Sequence, residues 1–499
     1  MSQSNHVTLQ AKKQFQILRE YSIFLISGSI AALVWANVQL GSYLQFMNTS
    51  WFNFSLFGRE VAPHGYSVHF VVNEAFMVLF FGIAMKEVTE AFLPGGPLAS
   101  VRKASLPVIS TLGGVVGPVL VFALGCLLFA RYLMRGWAVP TATDIAYSWL
   151  FAGIIFGYKH PATKFLLALA VLDDLIGMVI IAIFYSSSIQ IEWMGLVVLA
   201  VLLCIGFRWV VKVESFWPYL LVGIPLSWLG LHYTGVHAAL ALVPIIPLLP
   251  HHRRDVGLFE EEDLPVAAKG AQPSEEHHPT DALNSFEHQF KPFVDVGLFF
   301  FGFANAGVPF SAIGLETWVT VAAIFIGKTF GIYLFTVFGR LLRFGLPAGM
   351  TMREAFVMGN VAAIGFTVAL FVTDVAFPRG EHGQGNAGAA HARVDAGHAA
   401  DGHSPVTNGH ADAEGHEDSP PAATHGSGPS PPPPPKEATF EELTDDQQGV
   451  VKDKVKMGAL LSFGAGLTSL LLARLLGVRK INTDEELAQR IRELEAKAA

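Results

Sequence analysis

The sequence predicts an all-α polytopic membrane protein with about twelve transmembrane helices. Three observations lead there. Of the 499 residues, 52% are hydrophobic and only 15% are charged, which is too apolar for an ordinary soluble domain. Oily stretches of spanning length recur along the whole chain, so a globular domain on a single anchor is excluded. Basic residues fall on alternate connections between those stretches, as they do in multi-pass proteins.

The oily stretches lie near 22–40, 68–86, 106–130, 140–157, 165–186, 193–209, 216–231, 235–250, 293–310, 317–339, 355–377 and 457–476. The leading MSQSNHVTLQAKKQFQILRE runs into the first without a convincing cleavage site, so that helix reads as retained. An even number of spans puts both termini on one side. With that side inside, the inner connections hold Lys12, Lys13, Arg19, Arg102, Lys103, Lys159, Arg253, Arg254, Arg340 and Arg353, among others. The opposite short connections hold Arg59, Arg131 and Arg135. The positive-inside bias therefore predicts cytoplasmic termini. Cys126 and Cys204 both sit in oily segments and read as packing residues, not a disulfide framework. The net charge of -8 resides largely in polar loops and the tail, and nothing in the composition points to nucleic acid.

The resulting organisation is a cytoplasmic tail over 1–20, helices one to eight over 21–250, and a polar cytoplasmic loop over 251–291. Helices nine to eleven follow over 292–377. Residues 378–448 form an outer, disordered His- and Pro-rich loop, 449–478 the last helix, and 479–499 a cytoplasmic tail with a helix-start signal. The seven histidines of 379–440 admit a metal-binding or pH-sensing reading beside that of a solvated connector.

Polar residues interrupt the oil at four places. In GWAVPTATDIAYSWLFAG, Pro140 removes a backbone donor and clashes with the preceding turn, so a continuous helix is disfavoured beside Thr141, Thr143 and Asp144. A broken helix inside a membrane needs protein or a watery cavity to satisfy its freed groups. Asp144 fits two readings: a plain cap of the half-helix that follows, and an acid that offsets a positive dipole end within the membrane. In VMGNVAAIGFTVALFV, Gly359, Asn360, Gly365 and Thr367 suggest a second interruption, although small residues also serve close helix packing.

Lys328, in AAIFIGKTFGIYLF, is remote from either end of its span and needs a carboxylate partner unless it snorkels. Last comes LALAVLDDLIGMVIIAIF. An Asp at the centre of a membrane helix costs about 2.5–3.5 kcal/mol on insertion scales, and here Asp173 and Asp174 are adjacent. A structural polar pair is one reading. Side chains of neighbouring residues point about 100° apart on a helix, so the two acids need different partners. With one acid turned to Lys328, the other can face a cavity where a cation and protons compete for the same oxygens.

The runs PTATDIAYSW, LALAVLDDLIGMVIIAIFYS, GVHAALALV, FGFANAGVPF, IGKTFGIYLF and IGFTVALFV, in this order, resemble the NhaA-type bacterial sodium/proton antiporters. The resemblance covers roughly 20–377 and the last helix. It implies an inverted-repeat transporter fold whose fourth and eleventh helices are unwound and cross near the membrane centre, and NhaA is itself one of the transporters that define this architecture. Those breaks match Pro140–Asp144 and Gly359–Gly365. The resemblance further implies a secondary transporter of the bacterial inner membrane, not an enzyme, with no cofactor beyond its cargo of Na+ or Li+ and H+. Asp173 and Asp174 match the cation-binding pair, with Asp174 the more direct ligand and Asp173 the partner of Lys328. Asp144 and Thr143 match the Thr-Asp of the helix crossing. Lys328 matches the lysine tied to electrogenic exchange, and His237, Glu287 and Lys86 fall at positions linked to pH response.

A homodimer through the outer segment near 50–68 is also implied. The run GIAMKEVTEAFLPGG departs from the family pattern: Lys86 remains, while the acids stand at Glu87 and Glu90. Both long inserts and Asp295 are additional departures. Two other function classes fit a buried ion site: a sodium-coupled symporter of an organic solute, and a sensor that binds without transport.

Overall fold

The computed structural model describes residues 23–51, 55–56, 59–60, 66–94, 96–186, 189–251, 281–378 and 435–498. The tail 1–20, most of the loop 251–291 and most of the linker 378–448, with its histidines, lie outside the described residues. So does much of the segment near 50–68. There a two-residue antiparallel pair remains, β1 (Ser55–Leu56) with β2 (Arg59–Glu60). All other regular structure among the described residues is helical.

Helices α1 (Ile23–Val38) and α2 (Leu40–Asn48) precede the hairpin. Helix α3 is Val68–Phe92, α4 Val101–Phe129, α5 Ile145–Ile155, α6 Pro161–Phe184, α7 Ile191–Val211 and α8 Trp217–Thr234. Helix α9 is Ala282–Asn305, α10 Leu315–Leu341, α11 Met352–Val361, α12 Phe366–Ala376, α13 Asp445–Leu475 and α14 Asp484–Ala498. Six of these, α3, α4, α6, α7, α10 and α13, are long and apolar enough to cross a membrane, and α11 with α12, bent by 51° at a short break, makes a seventh. Their outer faces carry exposed aliphatic side chains such as Leu120, Leu124 and Leu202, which suit hydrocarbon and not water.

Local chemistry sets the ends. Ser67 and Ser100 accept hydrogen bonds from the first-turn amides of α3 and α4. His160 caps α6 ahead of Pro161, whose fixed φ suits the first helical position. Thr351 and Glu354 close a reciprocal capping box on α11.

Two boundaries differ from the hydropathy pattern. The apolar stretch near 235–250, expected as a span, is not an α-helix. It holds 3₁₀ turns at Ala238–Leu240 and Ile246–Leu248 and further turns between them. Pro244 and Pro247 lack the amide donors that an α-helical ladder would use. Helix α9 begins at Ala282, capped by Asp281, well before residue 292, so Glu287 belongs to a helix and not to a loop.

The helices pack as two bundles. In the first, α4 lies along α10 and against α6, while α13 packs on α10, α11 and α12. In the second, α3 packs on α9 and on the 3₁₀ turns, and α7 lies along α8. The bundles meet where α3 touches α6 and α9 touches α12. The tightest approach is within the first. A Cβ on Gly117 would stand 2.2 Å from the Gly327 carbonyl oxygen, and one on Gly331 2.1 Å from that of Gly113. Glycines spaced four apart on both helices let the backbones touch, and this contact carries Lys328 into the interior.

Candidate ion-binding site

Asp173 and Asp174 lie midway along α6. Asp173 is 4% exposed, and its Oδ2 accepts a hydrogen bond from Lys328 Nζ at 2.8 Å. Lys328 is fully buried, so it does not snorkel. It ends a π-helical turn, Ala323–Lys328, within α10, a local widening that re-aims a side chain. Its ammonium also donates to the Thr141 carbonyl, a backbone acceptor at the break around Pro140.

Asp174, one residue on, points elsewhere. It lines a cavity of about 120 Å³ together with Glu87, Thr143, Asp144, Tyr147 and Thr367. That volume holds several waters or a partly hydrated cation. The two acids therefore face different surroundings, as their helical spacing requires.

Asp144 joins the two interruptions. As the cap of α5 it accepts from the Tyr147 amide at 3.3 Å. Its other oxygen accepts from the Thr367 amide at 3.1 Å and from the Thr367 hydroxyl, in the first turn of α12. One buried carboxylate thus accepts from first-turn amides of two helices, α5 and α12. The backbones also touch. The Asp144 amide donates to the Ile364 carbonyl at 2.6 Å, and Thr143 Oγ1 to that of Ala362 at 2.9 Å. A Cβ on Gly365 would come 2.7 Å from the Ala142 oxygen, which accounts for glycine there. Gly359 packs as closely on Thr329 of α10, and Asn360 beside it bonds Thr329, Thr468 and Ser469 across three helices.

Of the residues linked to pH response, two come together. Lys86, fully buried, pairs with Glu90 at 2.6 Å and with Glu287 of α9, which also contacts Lys291 at 3.3 Å. His237 stands apart: its Nε2 is 3.4 Å from Glu74 Oε1, and its Nδ1 accepts from the Ala239 amide. In the sequence, Glu87 and Glu90 stand out only as displaced acids. The available signal was spacing: Glu90 is one turn from Lys86 and pairs with it, which turns Glu87 to another face, toward Asp174. Asp295 is buried in α9.

A largely helical apolar chain with buried acids, a buried lysine and paired helix breaks is a multi-pass membrane protein built around an internal ionisable centre. A family model described as Na+/H+ antiporter 1 matches residues 13–399. The Na(+)/H(+) antiporter NhaA of Geobacter sulfurreducens is 47% identical over 371 residues, covering 73% of this chain and 90% of that protein. NhaA 1 of Pelobacter propionicus is 47% identical over 375 residues with the same coverage. NhaA of Jannaschia sp. is 41% identical over 392 residues, 72% of this chain and 90% of that protein. The chain belongs to the Na+/H+ antiporter 1 family.

Proposed function

We propose that the protein exports Na+ or Li+ from a bacterial cell in exchange for protons, by alternating access to the cavity at Asp174. The observation that carries this reading is the division of labour on α6. Asp173 is neutralised by Lys328, while Asp174 opens on a small, largely apolar cavity whose few polar groups include Asp144, Thr143 and Thr367. Carboxylate, hydroxyl and water oxygens are the hard donors an alkali cation prefers. Two adjacent acids in a low dielectric do not both ionise cheaply, so a cation that stabilises the charged pair and protons that discharge it compete for one site.

In this reading the 3₁₀ turn Val139–Thr141 with α5, and α11 with α12, are the unwound, crossing fourth and eleventh spans of twelve. Mutual contacts of the two breaks support that assignment. Asp144 offsets the dipole ends of α5 and α12, so a cation and its counter-charges can share the centre. Lys328 releases or regains its hold on Asp173 as the site is loaded, which makes exchange electrogenic. Lys86, Glu287 and His237 adjust the response to pH, both termini are cytoplasmic, and a second copy docks through the segment near 50–68.

The test is Na+/H+ exchange in proteoliposomes across a range of pH, with and without an imposed voltage. Proton release on Na+ addition, faster under a favourable voltage, is expected. A chain that moves no protons when Na+ is added at any pH is not an antiporter. Exchange indifferent to voltage removes the electrogenic part.

A further inference from the structure

A second buried ionic centre lies apart from the aspartate pair. It forms where α3 begins, α12 ends, α9 ends and α13 begins, so all four helix ends belong to one face of the protein. The Lys86–Glu90–Glu287 cluster marks the opposite ends of α3 and α9. At the centre is Asp374, about 10 Å, or two turns, along α12 from Thr367.

Its two carboxylate oxygens have different allegiances. Oδ1 meets Lys452 Nζ at 2.7 Å and Lys456 Nζ at 3.2 Å, both on α13, within its own bundle. Oδ2 accepts from Asn73 Nδ2 at 3.1 Å and lies 3.3 Å from His69 Nε2, both on α3, in the other bundle. The α3 side is braced in turn, because Asn73 and Asn305 of α9 exchange amide hydrogen bonds at 2.8 and 3.3 Å. Lys452, Lys456, Asn73 and Asn305 are all buried. Each half is thus anchored in its own bundle, and one carboxylate oxygen bridges them. A cavity of about 730 Å³ reaches this bridge, with His69, Asp374, Lys452 and Lys456 in its wall.

We propose that Asp374 and its partners His69 and Asn73, with Lys452 and Lys456 behind them, form a latch that closes the exchange path on this face. The inference rests on the alternating-access reading above. Buried polar contacts hold two elements together no better than well-packed apolar side chains do. Its advantage is at a joint that must open, because the parted polar groups are rehydrated by the cavity whereas parted apolar faces would be stranded in water. These are positioning residues: they touch neither the aspartate pair nor its cavity, and they set which face the site sees.

The experiment measures the apparent KM for Na+ separately on each face in oriented proteoliposomes, for the unmodified chain, Asp374→Asn and Asp374→Glu. Loosening the latch populates the state open to its face. For Asp374→Asn, KM on the latch face is expected to fall about threefold or more and KM on the other face to rise, with Asp374→Glu returning both toward the parent. Unchanged values, or equal shifts on both faces, overturn the latch. Should Asp374→Asn fail to fold, His69→Cys/Asp374→Cys is bridged with a short, reductant-cleavable bifunctional thiol reagent. Exchange is expected to stop while bridged and return on reduction; full exchange while bridged overturns the proposal. If the unmodified chain exchanges but the variants show neither effect, the latch alone fails, whereas absence of exchange in the unmodified chain defeats the function on which it depends.

Discussion

Lys328 Nζ and Asp173 Oδ2 stand 2.8 Å apart inside the first bundle, with both side chains shielded from solvent. The contact joins the middle of α6 to the π turn of α10, and each charge is tolerable there only because the other is present. Lys328→Ala should therefore cost about 3–5 kcal/mol of stability, the usual consequence of stranding one half of a buried pair. Lys328→Ala/Asp173→Asn removes both charges and should recover much of that loss. Thermal unfolding in detergent checks the order: parent, then the double variant, then the single. A single variant as stable as the parent would show that the pair is not coupled.

Asp144 gives one carboxylate to two helix N-termini, and its substitutions separate charge from hydrogen bonding. Asp144→Ala loses both caps, each worth about 0.5–2 kcal/mol. Asp144→Asn keeps one acceptor oxygen for one amide and presents a donor to the other. Unfolding midpoints should fall in the order Asp, Asn, Ala. Identical midpoints for Asn and Ala would mean that only the charge matters at this junction.

What was legible in the sequence was whatever stood out against oil. Asp173, Asp174, Lys328 and Pro140 announce themselves because charge and helix breaks are costly in a membrane, and all four belong to the site region. Hydropathy was blind where composition and conformation diverge. Residues 235–250 are apolar enough for a span, yet Pro244 and Pro247 turn them into 3₁₀ turns. The first turns of α9 are polar, so they read as loop, although Asp281 caps them as helix. Asp374 sits near the end of an apolar run, where a charge looks ordinary; only packing reveals that α3 and α13 close over it.

Glu87 adds a further carboxylate to the cavity of Asp174 and Asp144. If the site takes up Na+, this charge raises the local attraction for it without being required for proton exchange. Glu87→Gln should raise KM for Na+ roughly tenfold, with a smaller effect on the maximal rate. Glu90→Gln, whose charge is turned to Lys86, should change KM far less. Na+ titrations of exchange at fixed pH separate the two, and equal responses would argue against a role for Glu87 in the cavity.

The contact between α4 and α10 is the part of the framework most sensitive to a single methyl group. A Cβ on Gly331 would sit 2.1 Å from the Gly113 carbonyl oxygen, so Gly331→Ala must part the two backbones by about 1 Å. Lys328, one turn away on α10, would move with it, away from Asp173 and Thr141. Displacements of that size at a reacting centre cost about 100-fold in rate, and a comparable loss of exchange is expected here along with a lower unfolding temperature. The control is Gly195→Ala in α7, where a Cβ meets nothing within 4 Å and the helix should gain about 0.5–1 kcal/mol. If Gly331→Ala behaves like that control in exchange rate and unfolding temperature, the close approach of α4 and α10 does not set the position of Lys328.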